Sequence, residues 1–447
     1  MSPSLPDLSE SLPSEKIPRK SSPRGYTLNP ESSFNVPKRI VVCCDGTWQD
    51  GIACKAPLQY TNILKIARAV NSQDLRSKVP IPQIVFYQAG VGTNSLFLMD
   101  CLDGAVGTSL RDKVEEAYAF IASNYQPSDE GAIGILDRKD MSQFAKIFDA
   151  FQERAHTDDE KKKQELNQFL APYTDPQSRG HIRADIDSDK FTIKFIGVFD
   201  TVGALGLPRE LRLRGKSRSL FGFPNKKLGE HIQYAYQALA IDETRKDFVA
   251  AKFEQSDEGR ARGQVLKQVW FSGSHSDIGG GYQAHDLSDL TLMWMASHFE
   301  PFLSLDLDYL LCHLPQPVDS WGEQPPHDSR TGVFTLALTS PRKFPSLGSS
   351  GWPTHEYIHP SVLHQKQLPH AIRELLHYNS DILCQLQPLE AQAKEYWHKH
   401  PRQHKAKAIA EDAGRTSIFG LRSLIQAIVH FNIKLAHLLV KLKQKLD

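Results

Sequence analysis

The stretch that decides the fold is residues 38–50, KRIVVCCDGTWQD. It is a continuous apolar run that stops abruptly at Asp45 and Gly46. A solid apolar run that ends in a turn signal is typical of a strand buried on both faces, as in a parallel sheet. Three more runs of this kind follow, at 81–94, 191–208 and 268–282.

Helical patterns separate these runs. Amphipathic or helix-like spacing covers residues 61–70, where Thr61 or Asn62 is the expected cap, and also residues 103–125, 231–248 and 287–299. Strands that alternate with helices predict an α/β fold with a doubly wound, mostly parallel sheet, similar to that of the α/β-hydrolases.

The chain also carries segments outside this pattern. Residues 1–37 are rich in Ser and Pro and predict a disordered N-terminus. It precedes the α/β-hydrolase-like domain, or body, which we predict over residues 38–365. The charged segment at about 141–190 predicts a helical insertion, and residues 366–415 predict a helical, basic linker. Residues 416–447 predict a helical C-terminal extension.

The extension carries an apolar stripe with alternating steps of three and four residues, formed by Leu421, Leu424, Ile428, Phe431, Leu435, Leu438 and Leu442. This heptad spacing predicts an amphipathic helix that packs on the body or on a second copy of the chain. Because basic residues flank the stripe, peripheral contact with a membrane is the alternative.

Composition narrows the function classes. The chain has 53 basic and 52 acidic residues and a net charge of +1, so no global field predicts nucleic-acid binding. Six cysteines without a Cys-x-x-Cys spacing predict neither a disulfide scaffold nor a structural zinc site. The sequence contains no secretory signal and no long uncharged apolar run, so we expect a cytoplasmic protein. We also expect it to use no cofactor and no metal.

Asp200 and His275 are the main catalytic candidates. Asp200 ends the apolar run FIGVFD, and His275 follows the next predicted strand in a loop of serines and glycines. Active residues collect at the carboxyl ends of parallel strands, and an aspartate can orient a histidine base there. The order Asp, then His, fits the α/β-hydrolase order Ser, Asp, His. A helix cap is the alternative role for Asp200.

The loop after the first strand supplies an oxyanion-hole hypothesis. Backbone N–H groups of Gly46 and Thr47 could face a developing negative charge, and a simple tight turn is the alternative.

Three secondary candidates remain. Asp277 is either a cap for its loop or a metal ligand. In the second case the chain would be a metal-dependent hydrolase that uses Asp45, Asp200, His275 and Asp277. His359, in EYIHPSV, is a rival base, although no clear strand precedes it.

The nucleophile is missing. A hydrolase of this type needs Gly-x-Ser-x-Gly on a sharp turn between a strand and a helix, and the sequence does not contain this motif. The nearest approximations are residues 215–219, GKSRS, and 348–351, GSSG. By topology the motif belongs between the helix that ends at Tyr125 and the strand that ends at Asp200.

Seven motifs resemble, in order, the catalytic domain of type VI secretion phospholipase effectors, long regarded as a domain of unknown function. They are CDGTW, YQAGVGT, NYQPSDE, FIGVFDTVGALG, QALAIDETR, VWFSGSHSDIGGGY and LSDLTLMWM. The resemblance covers about residues 38–300 and, weakly, extends to about 365. It implies hydrolysis of a phospholipid or another ester, with triad roles for Asp200 and His275 and an oxyanion role for Gly46 and Thr47.

The same resemblance defines the gap. In the family, the helix that ends in Asp-Glu leads into a buried strand and a Gly-Phe-Ser-Arg-Gly-Ala elbow, whereas here Glu130 is joined directly to Gly131. The resemblance therefore implies that the central nucleophile strand, the elbow and the start of its helix are absent. We predict a catalytically impaired member, and a non-catalytic binding or regulatory protein is the alternative. Residues 132–136 could act as a substitute strand.

Overall fold

The computed structural model describes residues 37–46, 60–90, 106–125, 136, 138–174, 193–202, 227–312, 317–331, 335, 338–344 and 354–399. The predicted disordered N-terminus, Thr47, the Glu130–Gly131 junction and the heptad helix lie outside these residues.

The described residues form two sheets, and the first begins with a strand from the opening stretch of sequence. Strand β1 (Arg39–Cys44) pairs in parallel with β3 (Ile81–Gln88), and the short β2 (Gln73–Asp74) pairs antiparallel with β3. Helix α1 (Asn62–Ala69) follows β1, and the Thr61 side chain caps it by accepting a hydrogen bond from the Leu64 N–H. The order is β1-β3-β2.

The second sheet has four parallel strands. They are β4 (Ile193–Phe199), β5 (Ile232–Ala240), β6 (Val265–Phe271) and β7 (Glu356–Ile358), in that spatial order. Each strand is hydrogen-bonded to its neighbour in the order of the chain, so the predicted α/β class with a parallel sheet is confirmed.

The helix predicted over residues 231–248 is wrong, because residues 232–240 form the central strand β5. Strands β4 and β6 flank it, and Ala235, Ala238 and Ala240 are fully buried. A strand buried on both faces shows no alternation of apolar and polar residues, so periodicity does not separate it from a buried helix.

The remaining helices connect or cover the strands. They are α2 (Val106–Asn124), α3 (Phe144–His156), α4 (Glu160–Thr174), α5 (Asp257–Ala261), α6 (His275–Gly279), α7 (Asp286–Phe299), α8 (Leu307–Cys312), α9 (His370–Tyr378) and α10 (Pro388–Lys399). None of the helices in the described ranges combines the length and the apolar character needed to cross a membrane.

One core cluster joins the two sheets. Val41 of β1 and Ile66 of α1 belong to the same cluster as Val269 of β6 and Met293 of α7. Helix α7 is the centre of this cluster, because thirteen of its fourteen residues are buried. Among the described strands, none pairs with the outer edge of β1 or of β4. The absence of the central strand stays a prediction.

Leu136 lies with the helical insertion. It is buried against Phe144, Ile147 and Leu170, and its N–H donates to the Tyr118 hydroxyl at 2.9 Å. This position is the described end of the segment that we considered as a substitute strand, and it packs among helices instead of pairing with a strand.

The predicted linker differs from the structure over residues 366–399. Helix α9 buries Ile372 and Leu375 in a cluster with Trp270, and α10 buries Trp397 beside Trp321. Each helix hides a single stripe and leaves its other faces polar, so its overall composition resembles that of a linker. Residues 400–415 lie outside the described part of the chain.

Candidate active site

Asp200 and His275 meet at the carboxyl edge of the second sheet. Nδ1 of His275 lies 2.8 Å from Oδ2 of Asp200. Asp200 directly follows β4 and is fully buried, whereas the His275 side chain, at the start of α6, is 28 % exposed. Strand β5 lies between β4 and β6, so the contact bridges over it, and the Ala240 N–H of β5 donates to Oδ1 of Asp200 at 3.0 Å.

The backbone of Asp200 has a positive φ of 44°. A residue other than glycine adopts this left-handed conformation infrequently, and such positions concentrate at functional sites. The strand therefore ends at Asp200 in a bend that the surrounding structure must hold.

Arg342 also contacts Asp200. Its Nη2 donates to Oδ2 at 2.7 Å, and its side chain is only 5 % exposed. No pattern in the sequence pointed to this residue, because it lies in a segment without strand or helix periodicity, 142 residues after Asp200.

Glu243 supports the backbone of the candidate base. It accepts hydrogen bonds from Nε and Nη2 of Arg245 at 2.9 and 2.8 Å, from the His275 N–H at 3.2 Å and from the Ser329 hydroxyl at 3.0 Å. Burial raises the pKa of Glu243, but the hydrogen bonds and charge of Arg245 outweigh it and lower the pKa to about 2. The Arg245 guanidinium lies 3.4 Å from the ring centroid of Phe248, which meets the His275 ring edge-on at 5.2 Å.

The sequence did not lead us to predict this network. Glu243 and Arg245 follow β5 directly, and a residue at the end of a parallel strand would have been a site candidate. Because we predicted a helix there, the DETR motif (residues 242–245) carried no role.

Asp277 takes the capping role and not a place beside Asp200. It accepts from the N–H and hydroxyl of Ser274 at 2.8 and 3.0 Å. It also accepts from the His327 N–H at 3.0 Å and lies 2.6 Å from His327 Nδ1. Asp277 therefore fixes the turn that presents His275. No pattern in the sequence pointed to His327.

Asp45 also holds local structure. Its Oδ2 accepts from the Thr61 hydroxyl at 2.7 Å and the Tyr87 hydroxyl at 2.8 Å, and its Oδ1 accepts from the Gly46 N–H at 3.0 Å. The oxyanion role of Gly46 and Thr47 stays a prediction, and it requires the Gly46 N–H to turn away from Asp45.

The start of α1 contacts the turn that carries His275. Thr61 forms an antiparallel bridge with Gly280, which has φ of 88°. A Cβ at Gly280 would lie 3.0 Å from the Asn62 nitrogen, so the close approach requires glycine. The Asn62 amide then donates to the carbonyl groups of Ile278 and Ser288 at 3.0 and 2.8 Å. These contacts tie α1 to the element that carries His275.

His359, the rival candidate for the base, is buried. It directly follows β7, a short strand that the sequence did not reveal. The residue is 1 % exposed, Nε2 lies 2.7 Å from Glu390 Oε1, and Nδ1 lies 2.7 Å from the Ser361 hydroxyl. Its ring stacks on Phe271 with centroids 4.4 Å apart. These contacts give His359 a structural role.

The four candidates of the metal hypothesis do not converge on one point. Asp45 binds Thr61, Asp200 binds His275 and Arg342, and Asp277 binds His327. Within the described ranges, no group of three or more His, Cys, Asp or Glu side chains is arranged to hold a metal ion.

The described hydrogen bonds of the His275 ring are confined to Nδ1. A base in a triad uses the opposite nitrogen, Nε2, to take a proton from the nucleophile. In the described part of the chain, no serine is hydrogen-bonded to that nitrogen.

Comparison with known proteins places the chain in a family. The model of the "T6SS, Phospholipase effector Tle1-like, catalytic domain" matches residues 38–130 and 131–298. An uncharacterised Saccharomyces cerevisiae protein, YEL023C, is 24 % identical over 255 residues, which are 50 % of this chain and 33 % of the yeast protein. The chain thus spans about a third of the length of that relative.

Two solved structures show weak similarity. An uncharacterised Pseudomonas aeruginosa protein aligns with a TM-score of 0.33 and 18 % identity, over 60 % of this chain and 47 % of that one. The Tle1 effector bound to the VgrG spike aligns with a TM-score of 0.25 and 18 % identity, over 55 % and 51 %. At these TM-scores neither alignment bears on the fold, whereas the family match covers more than half of the chain. The resemblance seen in the sequence motifs is confirmed, and the chain belongs to the family of Tle1-like type VI secretion phospholipase effector catalytic domains.

Proposed function

We propose that this chain is a serine-type ester hydrolase by descent, acting on phospholipid or another lipid ester, and that its catalytic apparatus is incomplete. The observation that carries the proposal is the 2.8 Å contact between Asp200 and His275 at the carboxyl edge of a parallel sheet. In such a pair the carboxylate holds the imidazole in one tautomer, and the imidazole accepts the proton of an attacking hydroxyl.

The division of the family match supports the second half of the proposal. The two matched segments adjoin at Glu130 and Gly131. The family resemblance places the nucleophile strand and elbow at this junction, and the sequence contains no Gly-x-Ser-x-Gly elsewhere. Loss of the nucleophile of a triad lowers turnover by about a millionfold.

Labelling by a fluorophosphonate probe, which reacts with activated serines, tests the proposal. We expect no labelling of the full chain. A second chain, with a family strand and elbow inserted between Glu130 and Gly131, is expected to label at the restored serine, and His275→Ala in that chain should abolish labelling. Labelling of the unaltered chain at any serine would contradict the proposed impairment.

A non-catalytic binding or regulatory protein is the second candidate. It is favoured by the ordered networks of Glu243 and Asp277, which fix the His275 turn although no serine is bonded to the imidazole within the described residues. In this role the loops at the strand ends around His275 bind a lipid or another ester without turnover, and residues 416–447 mediate self-association or peripheral contact with a membrane.

Mass measurement by light scattering tests the tail. If residues 416–447 drive self-association, the full chain is expected to have a multiple of the monomer mass, and a chain that ends at 415 should be monomeric. If the two chains show the same mass, flotation with vesicles of anionic phospholipid tests membrane contact separately.

A further inference from the structure

We propose that Arg342 is a positioning residue that holds the Asp200 carboxylate directed at His275. The inference rests on the proposed function, because it assumes that the pair of Asp200 and His275 is the acid–base pair of the site.

Three donors from three parts of the chain fix Asp200. The Ala240 N–H of β5 donates to Oδ1 at 3.0 Å. His275 Nδ1 of α6 lies 2.8 Å from Oδ2, and Nη2 of Arg342 donates to that same oxygen at 2.7 Å. Arg342 is the permanent cation in this set, because an arginine side chain keeps its charge in proteins.

The burial of both partners makes the charge decisive. Asp200 is fully buried and the Arg342 side chain is 5 % exposed. An ionised carboxylate in such a position needs a paired charge, since removal of one partner leaves the other charge uncompensated. Without the guanidinium, we expect the Asp200 carboxylate to turn, so that His275 loses its acceptor.

Packing alone does not account for an arginine at position 342. Its Nε and Nη1 are buried and have no hydrogen-bond partner among the described residues. Buried donors without partners are unfavourable, so a hydrophobic residue of similar size would suit a purely structural position better. The described hydrogen bond of this guanidinium is the one to Asp200.

The backbone on both sides of Arg342 is anchored independently of Asp200. The Ser340 N–H donates to the Thr244 carbonyl at 2.7 Å, and the Lys246 N–H donates to the Leu338 carbonyl at 2.8 Å. After Arg342, the Phe344 ring meets Trp270 edge-on at 4.8 Å. The guanidinium is therefore brought to Asp200 by a segment that is already fixed beside the end of β5.

Proton NMR of the full chain tests the inference through the Nδ1–H proton of His275. A hydrogen bond to a carboxylate moves this signal far downfield of the amide region, and its loss in Asp200→Asn and in His275→Ala assigns it. We expect the signal to be lost in Arg342→Ala and to return when millimolar methylguanidinium fills the vacated position. Arg342→Lys is expected to retain the signal, and so is Lys343→Ala, the matched variant of the exposed neighbour.

The outcomes separate the two levels of the argument. If the unaltered chain shows no downfield signal that depends on Asp200 and His275, the proposed pair itself fails. If that signal is present and persists in Arg342→Ala, only the role of Arg342 is overturned. A loss that neither methylguanidinium nor Arg342→Lys reverses, in a chain with unchanged far-ultraviolet circular dichroism, would overturn it as well. Should Arg342→Ala not fold, Arg342→Met, which keeps the length of the side chain but removes its charge, takes its place, and a signal that persists there overturns the role of Arg342.

Discussion

At the scale of single residues, burial sets how the chain responds to pH, and His298 is the clearest case. It lies on α7, where its ring stacks on Tyr236 with centroids 4.3 Å apart and is 9 % exposed. Burial, aided by the positive charge of Lys267, lowers the pKa of His298 to about 3. The folded state therefore holds this imidazole neutral over a pH range in which the unfolded chain protonates it.

The sign of the pH effect follows from this difference. The stability contribution of neutral His298 is fully present above the unfolded pKa of 6.5 and is lost as the pH falls from there toward 3. At pH 5 the loss amounts to about 2 kcal/mol, at 1.36 kcal/mol per pH unit. We expect His298→Phe, which keeps an aromatic ring, to remove this part of the decline in urea unfolding between pH 7 and 5. His370→Gln, at an exposed histidine, is the control and should leave the decline unchanged.

Asp277 gives a second prediction at this scale. Because it accepts from Ser274 and His327 in the turn that carries His275, Asp277→Ala should lower the free energy of unfolding by about 2–4 kcal/mol. Asp257, 93 % exposed in the first turn of α5, is the matched control. Asp257→Ala is expected to change stability by less than about 0.5 kcal/mol in the same urea titration. Equal effects of the two substitutions would contradict the capping role.

At the scale of elements, the packing of β4 on α7 depends on one glycine. A Cβ at Gly197 would lie 2.2 Å from Cζ of Phe299 and 2.8 Å from the Met295 sulfur. Overpacking of this kind costs about 1–3 kcal/mol, so Gly197→Ala should destabilise by that amount in chemical denaturation. Phe299→Leu in the same chain is expected to restore part of the loss, because it removes the nearest atom.

The matched control for this substitution is Gly46→Ala. Among the described residues, a Cβ at Gly46 would have no neighbour within 4 Å, so little change in stability is expected. If Gly197→Ala changes stability as little as Gly46→Ala does, β4 does not pack closely against α7 at Gly197.

The elements also show what the sequence could and could not predict. Strands β1, β3, β4 and β6 were predictable because each is a solid apolar run that ends in a polar loop. Strand β5 is mostly buried, but its mixture of Gln, Tyr and Ala side chains has no period that separates a strand from a helix. That error hid Glu243 and Arg245.

The candidate site was predictable to a similar extent. Asp200 and His275 lie at strand ends, where topology alone brings side chains together. Arg342 and His327 come from irregular segments, and a segment without periodicity gives no direction for its side chains. Their contacts are set by tertiary packing, which no local pattern in the sequence encodes.

At the scale of the whole molecule, one core cluster joins the two sheets, so we expect them to unfold together. Val41 of β1 and Val269 of β6 are buried in this cluster. Val41→Ala and Val269→Ala should each lower stability by about 1–3 kcal/mol and shift the same transition. Tryptophan fluorescence and far-ultraviolet circular dichroism should trace coincident curves for each variant. Two separate transitions, with each substitution moving only one, would indicate independent sheets.

The enclosure of α7 sets a limit on where this protein can be cut. The family match ends at residue 298. However, Trp321 and Trp397, which pack with Leu287 and Leu290 of α7, come later in the chain. A recombinant fragment trimmed to the homologous boundary would leave Leu287 and Leu290 uncovered and prone to aggregate. The family match therefore ends before the part of the chain that α7 needs for its burial.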